Sequence, residues 1–159
     1  MRLRLLTPVI TIAFMSSVFV VRAQEATSTK PHPPAFTMSG DIALWTVAVK
    51  PDKTSDFERV LARLRSALRH SPDPKRQQQA AGWRVIKVEK PMPDGNIAYV
   101  HVISPVVKDA DYSILQTLYD ELPKEGQELY ELYRGAFAQN LALTAGSIVM
   151  DAGAARATQ

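Results

Sequence analysis

Cysteine is absent from this chain of 159 residues. Its absence removes a disulfide scaffold, a thiolate zinc site, an iron–sulfur centre and a cysteine nucleophile together. Glycine is scarce, with 7 residues, and no Gly-x-Ser-x-Gly, Walker or dinucleotide fingerprint occurs, so a phosphate-cradling loop is not expected. The three histidines, His32, His70 and His101, show neither His-x-His nor His-Glu-x-x-His spacing. A first-row metal needs three or four gathered ligands, so neither a metal site nor a cofactor is expected. Asp109, Asp111, Asp120 and Glu121 read as helix caps and surface charge, since a hydrolase pair must flank one scissile bond. Apolar residues, by contrast, are ample: the 46% hydrophobic content excludes disorder of the main body and fits one ordinary globular domain.

Two arginines in Met1-Arg-Leu-Arg4 precede an apolar run from Leu5 to Val21, which gives way to Val21-Arg22-Ala23. That pattern predicts a signal peptide over residues 1–23, cleaved after Ala23. The rival reading is an uncleaved anchor, against which the run is short and interrupted by Thr7, Pro8, Thr11, Ser16 and Ser17. Cleavage removes Arg2, Arg4 and Arg22, so the 19 basic residues become 16 against 16 acidic ones. The mature chain is then formally neutral, and the sequence pI of 9.3 is no argument for a nucleic-acid partner. A secreted or periplasmic protein without a stable membrane anchor is expected. Residues 24–39, with Pro31, Pro33 and Pro34, form a flexible linker.

A domain over residues 40–151 follows, with a frayed tail at 152–159. Ile42-Ala-Leu-Trp-Thr-Val-Ala-Val49 reads as a strand stopped by Pro51. Ser55-Asp-Phe-Glu58 fits a capping box for a helix whose stripe is Phe57, Val60, Leu61, Leu64 and Leu68. Asp73 and Pro74 start a short second helix through Ala81, released at Gly82. Strands from Trp83 to Glu89 and from Ile97 to Ile103 flank the turn-forming Pro91-Met-Pro-Asp-Gly-Asn96 and predict a hairpin. A helix capped by Asp109 or Asp111 and ended by Pro123 carries Ile114, Leu115, Leu118 and Leu122. In a last helix, Leu129, Leu132, Tyr133, Ala136, Phe137, Asn140 and Leu141 recur at three- and four-residue steps. Gly146 stops it, and residues 147–150 form a short final strand.

The order strand, helix, strand, strand, helix, strand predicts an α+β fold: a ferredoxin-like βαββαβ sandwich, antiparallel, with helices on one face of the sheet. Its strands are apolar on both sides. Ile42, Leu44 and Ala48 oppose Ala43, Trp45, Val47 and Val49, while Ala98, Val100 and Val102 oppose Ile97, Tyr99 and Ile103. A second apolar face in water calls for a cover, and self-association is the economical one. With this element order, hairpin turn and second face, the chain resembles the dimeric α/β-barrel superfamily, which includes antibiotic-biosynthesis-monooxygenase-like proteins. The resemblance covers residues 40–151 and is architectural. It implies a homodimer packed sheet on sheet, with a pocket between each sheet and its helices or its partner, and it transfers no functional residue.

Trp45, Trp83, Tyr99 and His101 are the candidate ligand-binding residues. Three aromatic rings supply flat apolar walls and orienting donors, and His101 shares a strand face with Tyr99 and exchanges protons near neutral pH. Read plainly, the same four are core or interface aromatics and a hydrogen-bonded sheet histidine. The basic stretch Arg59, Arg63, Arg65, Arg69, Lys75 and Arg76 reads as a solvated helix face, with an anionic ligand or lipid headgroup as its alternative. The composite expectation is a homodimeric binding or accessory module for a small apolar or aromatic ligand. A cofactor-independent monooxygenase-like or isomerase-like enzyme, and a structural envelope protein without ligand, are the alternatives.

Overall fold

Branched and aromatic side chains make Ile42–Val49 a strand, β1, whose alternate residues Ala43, Trp45, Val47 and Val49 are buried. The computed structural model containing it describes residues 35–151. The expected signal peptide, the linker up to residue 34 and the tail lie outside the described residues. A 3-10 turn at Pro51–Lys53 ends β1 and leads into the helix α1, Thr54–His70, which buries Phe57, Val60, Leu64, Ala67 and Leu68. The expected capping box does not form. Lys53 occupies the cap position without a side-chain hydrogen bond, because the chain enters α1 straight from that turn and Ser55 is already inside the helix.

Helix α2, Pro74–Gly82, is capped as expected, with Asp73 Oδ1 accepting from the Lys75 backbone N–H at 2.9 Å. Strands β2, Trp83–Lys87, and β3, Ile97–Ile103, pair antiparallel from Trp83↔Ile103 to Lys87↔Tyr99. Beyond the end of β2 the Val88 N–H still donates to the Ala98 carbonyl at 2.9 Å. Gly95, at φ +83°, supplies the left-handed residue of the connecting turn. Helix α3, Ile114–Glu121, is capped by Ser113 rather than by either aspartate. Asp111 is occupied elsewhere: its Oδ1 accepts from the Ser113 and Phe36 backbone N–H groups at 2.8 and 2.9 Å.

The largest departure from expectation follows. Helix α4, Gly126–Ala136, stops ten residues before Gly146, and Phe137–Gly146 is the strand β4; residues 147–150 carry no strand. Two contacts end the helix at that point. The Lys50 backbone N–H donates to the Ala136 carbonyl at 3.0 Å and Lys50 Nζ donates to the Gly135 carbonyl at 2.8 Å, so these carbonyls are satisfied without a further turn. The outer edge of β1 then pairs with β4 from Val49↔Phe137 to Ile42↔Gly146. Register shifts between Thr46 and Val47 and between Ala48 and Val49 insert extra residues into β4. They break its period-two alternation and leave the helix-like spacing.

The four strands form one antiparallel sheet in the order β2-β3-β1-β4, and with the four helices the chain is α+β and broadly ferredoxin-like. The core lies between the helices and one face of the sheet, where Ala43, Trp45, Val47, Tyr99 and Ile103 cluster with Phe57, Val60, Leu118 and Leu129. On the other face run two rows, Arg84–Val102–Leu44–Thr144 and Ile86–Val100–Thr46–Ala142. Leu44 is 41% exposed there and Ile86 54%.

Candidate functional site

All four candidate residues stand on the helix side of the sheet, placed by the register Trp45↔His101, Val47↔Tyr99 and Trp83↔Ile103. His101 is the hub. Its ring is fully buried, stacks on Trp45 at 4.6 Å between centroids, and accepts at Nδ1 from the Trp83 indole N–H at 3.1 Å. An acceptor at Nδ1 places the ring proton on Nε2, which is buried and has no hydrogen-bond partner among the described residues. Burial pushes the imidazole down to about 4, so it is neutral across the physiological range.

Tyr99 belongs to a separate network two residues away. Its hydroxyl donates to Glu58 Oε1 at 2.7 Å, and Lys87 Nζ donates to the same oxygen at 2.9 Å. The Lys87 and Tyr99 hydrogen bonds hold the Glu58 carboxyl below its usual range, while burial and the Glu58 carboxylate push the phenol up to about 12. Tyr99 is therefore a hydrogen-bond donor at neutral pH and makes a poor general base.

The four side chains pack into one aromatic layer, yet they do not line one cavity. Trp83 forms part of the wall of a cleft of about 430 Å³ bounded by α1, α2 and β2. Trp45 lines a second recess of about 220 Å³ toward α3 and β4, with Phe36, Ile114, Tyr133 and Asn140. Asn140 Oδ1 accepts from the Trp45 indole N–H at 2.9 Å, and burial raises the Tyr133 phenol to about 12. Neither His101 nor Tyr99 lines either cavity.

The larger cleft is walled mainly by Leu61, Leu64, Leu68, Ala80, Trp83 and Val85, with Glu58 and Arg65 carrying its charge; Arg84 borders it from β2, in a register position on the opposite face of the sheet. Apart from Trp83, none of these was a candidate site residue from sequence. The available signals were Leu61, Leu64 and Leu68 in the α1 stripe and Arg65 in the basic stretch, both of which fit an ordinary amphipathic helix equally well. Among the described residues no group of three or more metal-ligating side chains gathers, and no helix is long and apolar enough to cross a membrane.

Compared with known proteins, the chain matches no protein-family model, no curated protein and no solved structure.

Proposed function

We propose that this chain is an exported binding or accessory module for a small apolar or aromatic ligand. Two subunits would pair sheet against sheet in the manner of the dimeric α/β barrels. The observation that carries the binding reading is the 430 Å³ cleft, an apolar recess walled by three leucines and a tryptophan on rigid elements. Its size lies within the range of small-molecule sites, roughly 300–1,000 Å³. A purely structural envelope protein would have no use for a recess of this size. The enzymatic alternative needs His101 or Tyr99 to touch a ligand, and both are engaged inside the core.

The dimer rests on the second sheet face. Four strands about 4.8 Å apart and two to three rows of side chains make a face of roughly 400 Å² in plane, apolar except at Arg84, Thr46 and Thr144 and about the size of a monomer's largest apolar patch. A stable interface takes about 800 Å² from each partner. Ile148, Val149 and Met150 beyond β4, all exposed, supply apolar surface to extend the patch, whereas Leu143 pairs with Trp45 and stands on the helix side.

Native mass spectrometry of the protein purified from its own envelope fraction tests address, assembly and ligand in one spectrum. The expected species is a dimer of chains beginning at Gln24 and carrying extra mass. A monomer beginning at Met1 would overturn both the export and the assembly, and a bare species that takes up no added apolar ligand would overturn the binding role.

A further inference from the structure

β2 is an edge strand of the sheet, and among the described residues β3 is its only strand partner. Two hydrogen bonds that continue the β2–β3 ladder at its ends fix where the other backbone groups of β2 point. The Val88 N–H donates to the Ala98 carbonyl and the Ser104 N–H to the Gly82 carbonyl, both at 2.9 Å. Hydrogen-bonded pairs alternate along an antiparallel ladder, so Arg84 and Ile86 also turn their N–H and C=O groups to β3. Trp83, Val85 and Lys87 turn theirs outward. The Trp83 N–H closes α2 on the Gln79 carbonyl. The Trp83 C=O and both backbone groups of Val85 and Lys87 are left without a partner among the described residues.

The same three residues carry their side chains on the helix side, where Trp83 and Val85 form the strand wall of the cleft. The cleft reaches the backbone of β2, since Arg84 borders it from a register position on the opposite face. Free hydrogen-bonding groups and an apolar recess thus lie side by side along one strand. Sheets commonly guard an open edge with charge. Here Lys87 is tied to Glu58 on α1 at 2.9 Å, with its Nζ 5.9 Å from the Tyr99 ring centroid, and leaves the edge unguarded. Arg84 stands on the far face with no carboxylate partner among the described residues.

From this arrangement we infer that the cleft takes an extended polypeptide segment, which joins the sheet as an antiparallel strand beside β2. Its alternate side chains are apolar and enter the cleft, and the residue between them is acidic and lies opposite Arg84. The inference rests on the reading of the cleft as an apolar binding site and names what carries the apolar groups into it. A residue opposite Val85 exchanges two hydrogen bonds with it and shares its face of the sheet, so its side chain enters the cleft. The residue opposite Trp83 does the same with one hydrogen bond. These two side chains stand about 6.6 Å apart, two steps of about 3.3 Å. At about 30 Å³ per non-hydrogen atom, the 430 Å³ cleft holds roughly fourteen such atoms, against about eight in two leucine side chains. The intervening residue projects to the far face, where a carboxylate meets the guanidinium of Arg84 across the strands.

The probe is a blocked heptapeptide of alternating glutamate and leucine, glutamate at both ends, titrated into the isotope-labelled mature protein and followed by NMR and amide hydrogen exchange. The peptide should bind and protect the Val85 and Lys87 amides, which in the free protein should exchange at least about tenfold faster than those of Arg84 and Ile86. Methylating the leucine nitrogens, which face β2, should weaken binding at least about tenfold, while methylating the glutamate nitrogens, which face solvent, should change it less than about twofold. Ala80→Trp fills the cleft and should abolish binding in a protein whose fold is checked by circular dichroism. Equal affinities for the two methylated peptides, or undiminished binding to Ala80→Trp, would overturn the added strand. Protection of Val85 and Lys87 in the free protein equal to that of Arg84 and Ile86 would mean that the edge is already occupied, as by a second copy of the chain, and would overturn it as well. Cyclohexanol, a soluble apolar molecule that cannot form a strand, separates the two levels of the claim. Binding of cyclohexanol without the peptide would overturn the strand and leave the cleft a small-molecule site, and binding of neither would overturn both readings.

Discussion

At the scale of single residues, His101 is the side chain whose chemistry is most altered by the fold. Its imidazole is neutral because burial disfavours the cation, and protonation would also set a second donor against the Trp83 N–H that now occupies Nδ1. The folded value of about 4 lies below the ordinary 6.5, so the unfolded chain binds this proton first as pH falls. Stability from this group is therefore fully present above pH 6.5 and is lost progressively as pH drops through 4. The separation corresponds to about 3 kcal/mol. Urea unfolding of the native protein and of His101→Gln at pH 7 and pH 4 measures it. The native protein should lose about 3 kcal/mol more than the variant across that interval, and parallel losses would remove His101 from the acid response.

The residue scale also shows where sequence reading stops. That Tyr99 and His101 share a face follows from the two-residue period of one strand. That Trp45 sits directly beside His101, with Trp83 one row away, depends on register between strands distant in sequence, and an apolar face tolerates either tryptophan inside or outside. The ion pairs of Arg59 with Glu128 and of Arg63 with Glu125 are equally hidden, since they depend on where α4 meets α1.

Among the elements, those with local signals were legible and the one defined by tertiary pairing was not. β1, α1, α2 and the β2–β3 hairpin carry their own caps, turns and periodicity. β4 contains alanine, glutamine and leucine, which favour helix. It is a strand because the free edge of β1 needs partners and Lys50 satisfies the last carbonyls of α4. The same distinction predicts how α2 responds to substitution. This helix has nine residues and buries only Gln79 and Gly82, so its start depends on the Asp73 cap more than a long, well-packed helix would. Asp73→Ala should cost about 1 kcal/mol in global stability, with Asp73→Asn within a few tenths of the native protein, both read from denaturant midpoints. Because α2 contributes Ala80 to the cleft wall, Asp73→Ala should also weaken the binding of an apolar ligand there at temperatures where the fold itself is intact.

For the molecule as a whole, the deciding feature is that one sheet serves two surfaces. The helix side buries Trp45, Tyr99 and His101 almost completely, whereas the far side leaves Leu44 and Ile86 exposed beside Val100 and Val102. A cleft opening between α1, α2 and β2 lies on the helix side of the edge strand β2, so pairing through the far face leaves ligand entry open. Assembly and binding are then separable by mutation. Leu44 and Ile86 contribute little to the subunit's own core, and replacing both by glutamate should leave the circular dichroism spectrum and the cleft's affinity for an apolar ligand unchanged. In a sheet-to-sheet dimer the substitutions bring like charges together across a two-fold axis, at a cost of at least about 3 kcal/mol, or more than a hundredfold in the dimer Kd. Analytical ultracentrifugation at micromolar concentration should therefore show a native dimer and a monomeric L44E/I86E. A dimer that persists in the double variant would place the interface along the uncharged edge of β4, where Leu141 and Leu143 are exposed; that edge offers unpaired backbone groups to a second strand.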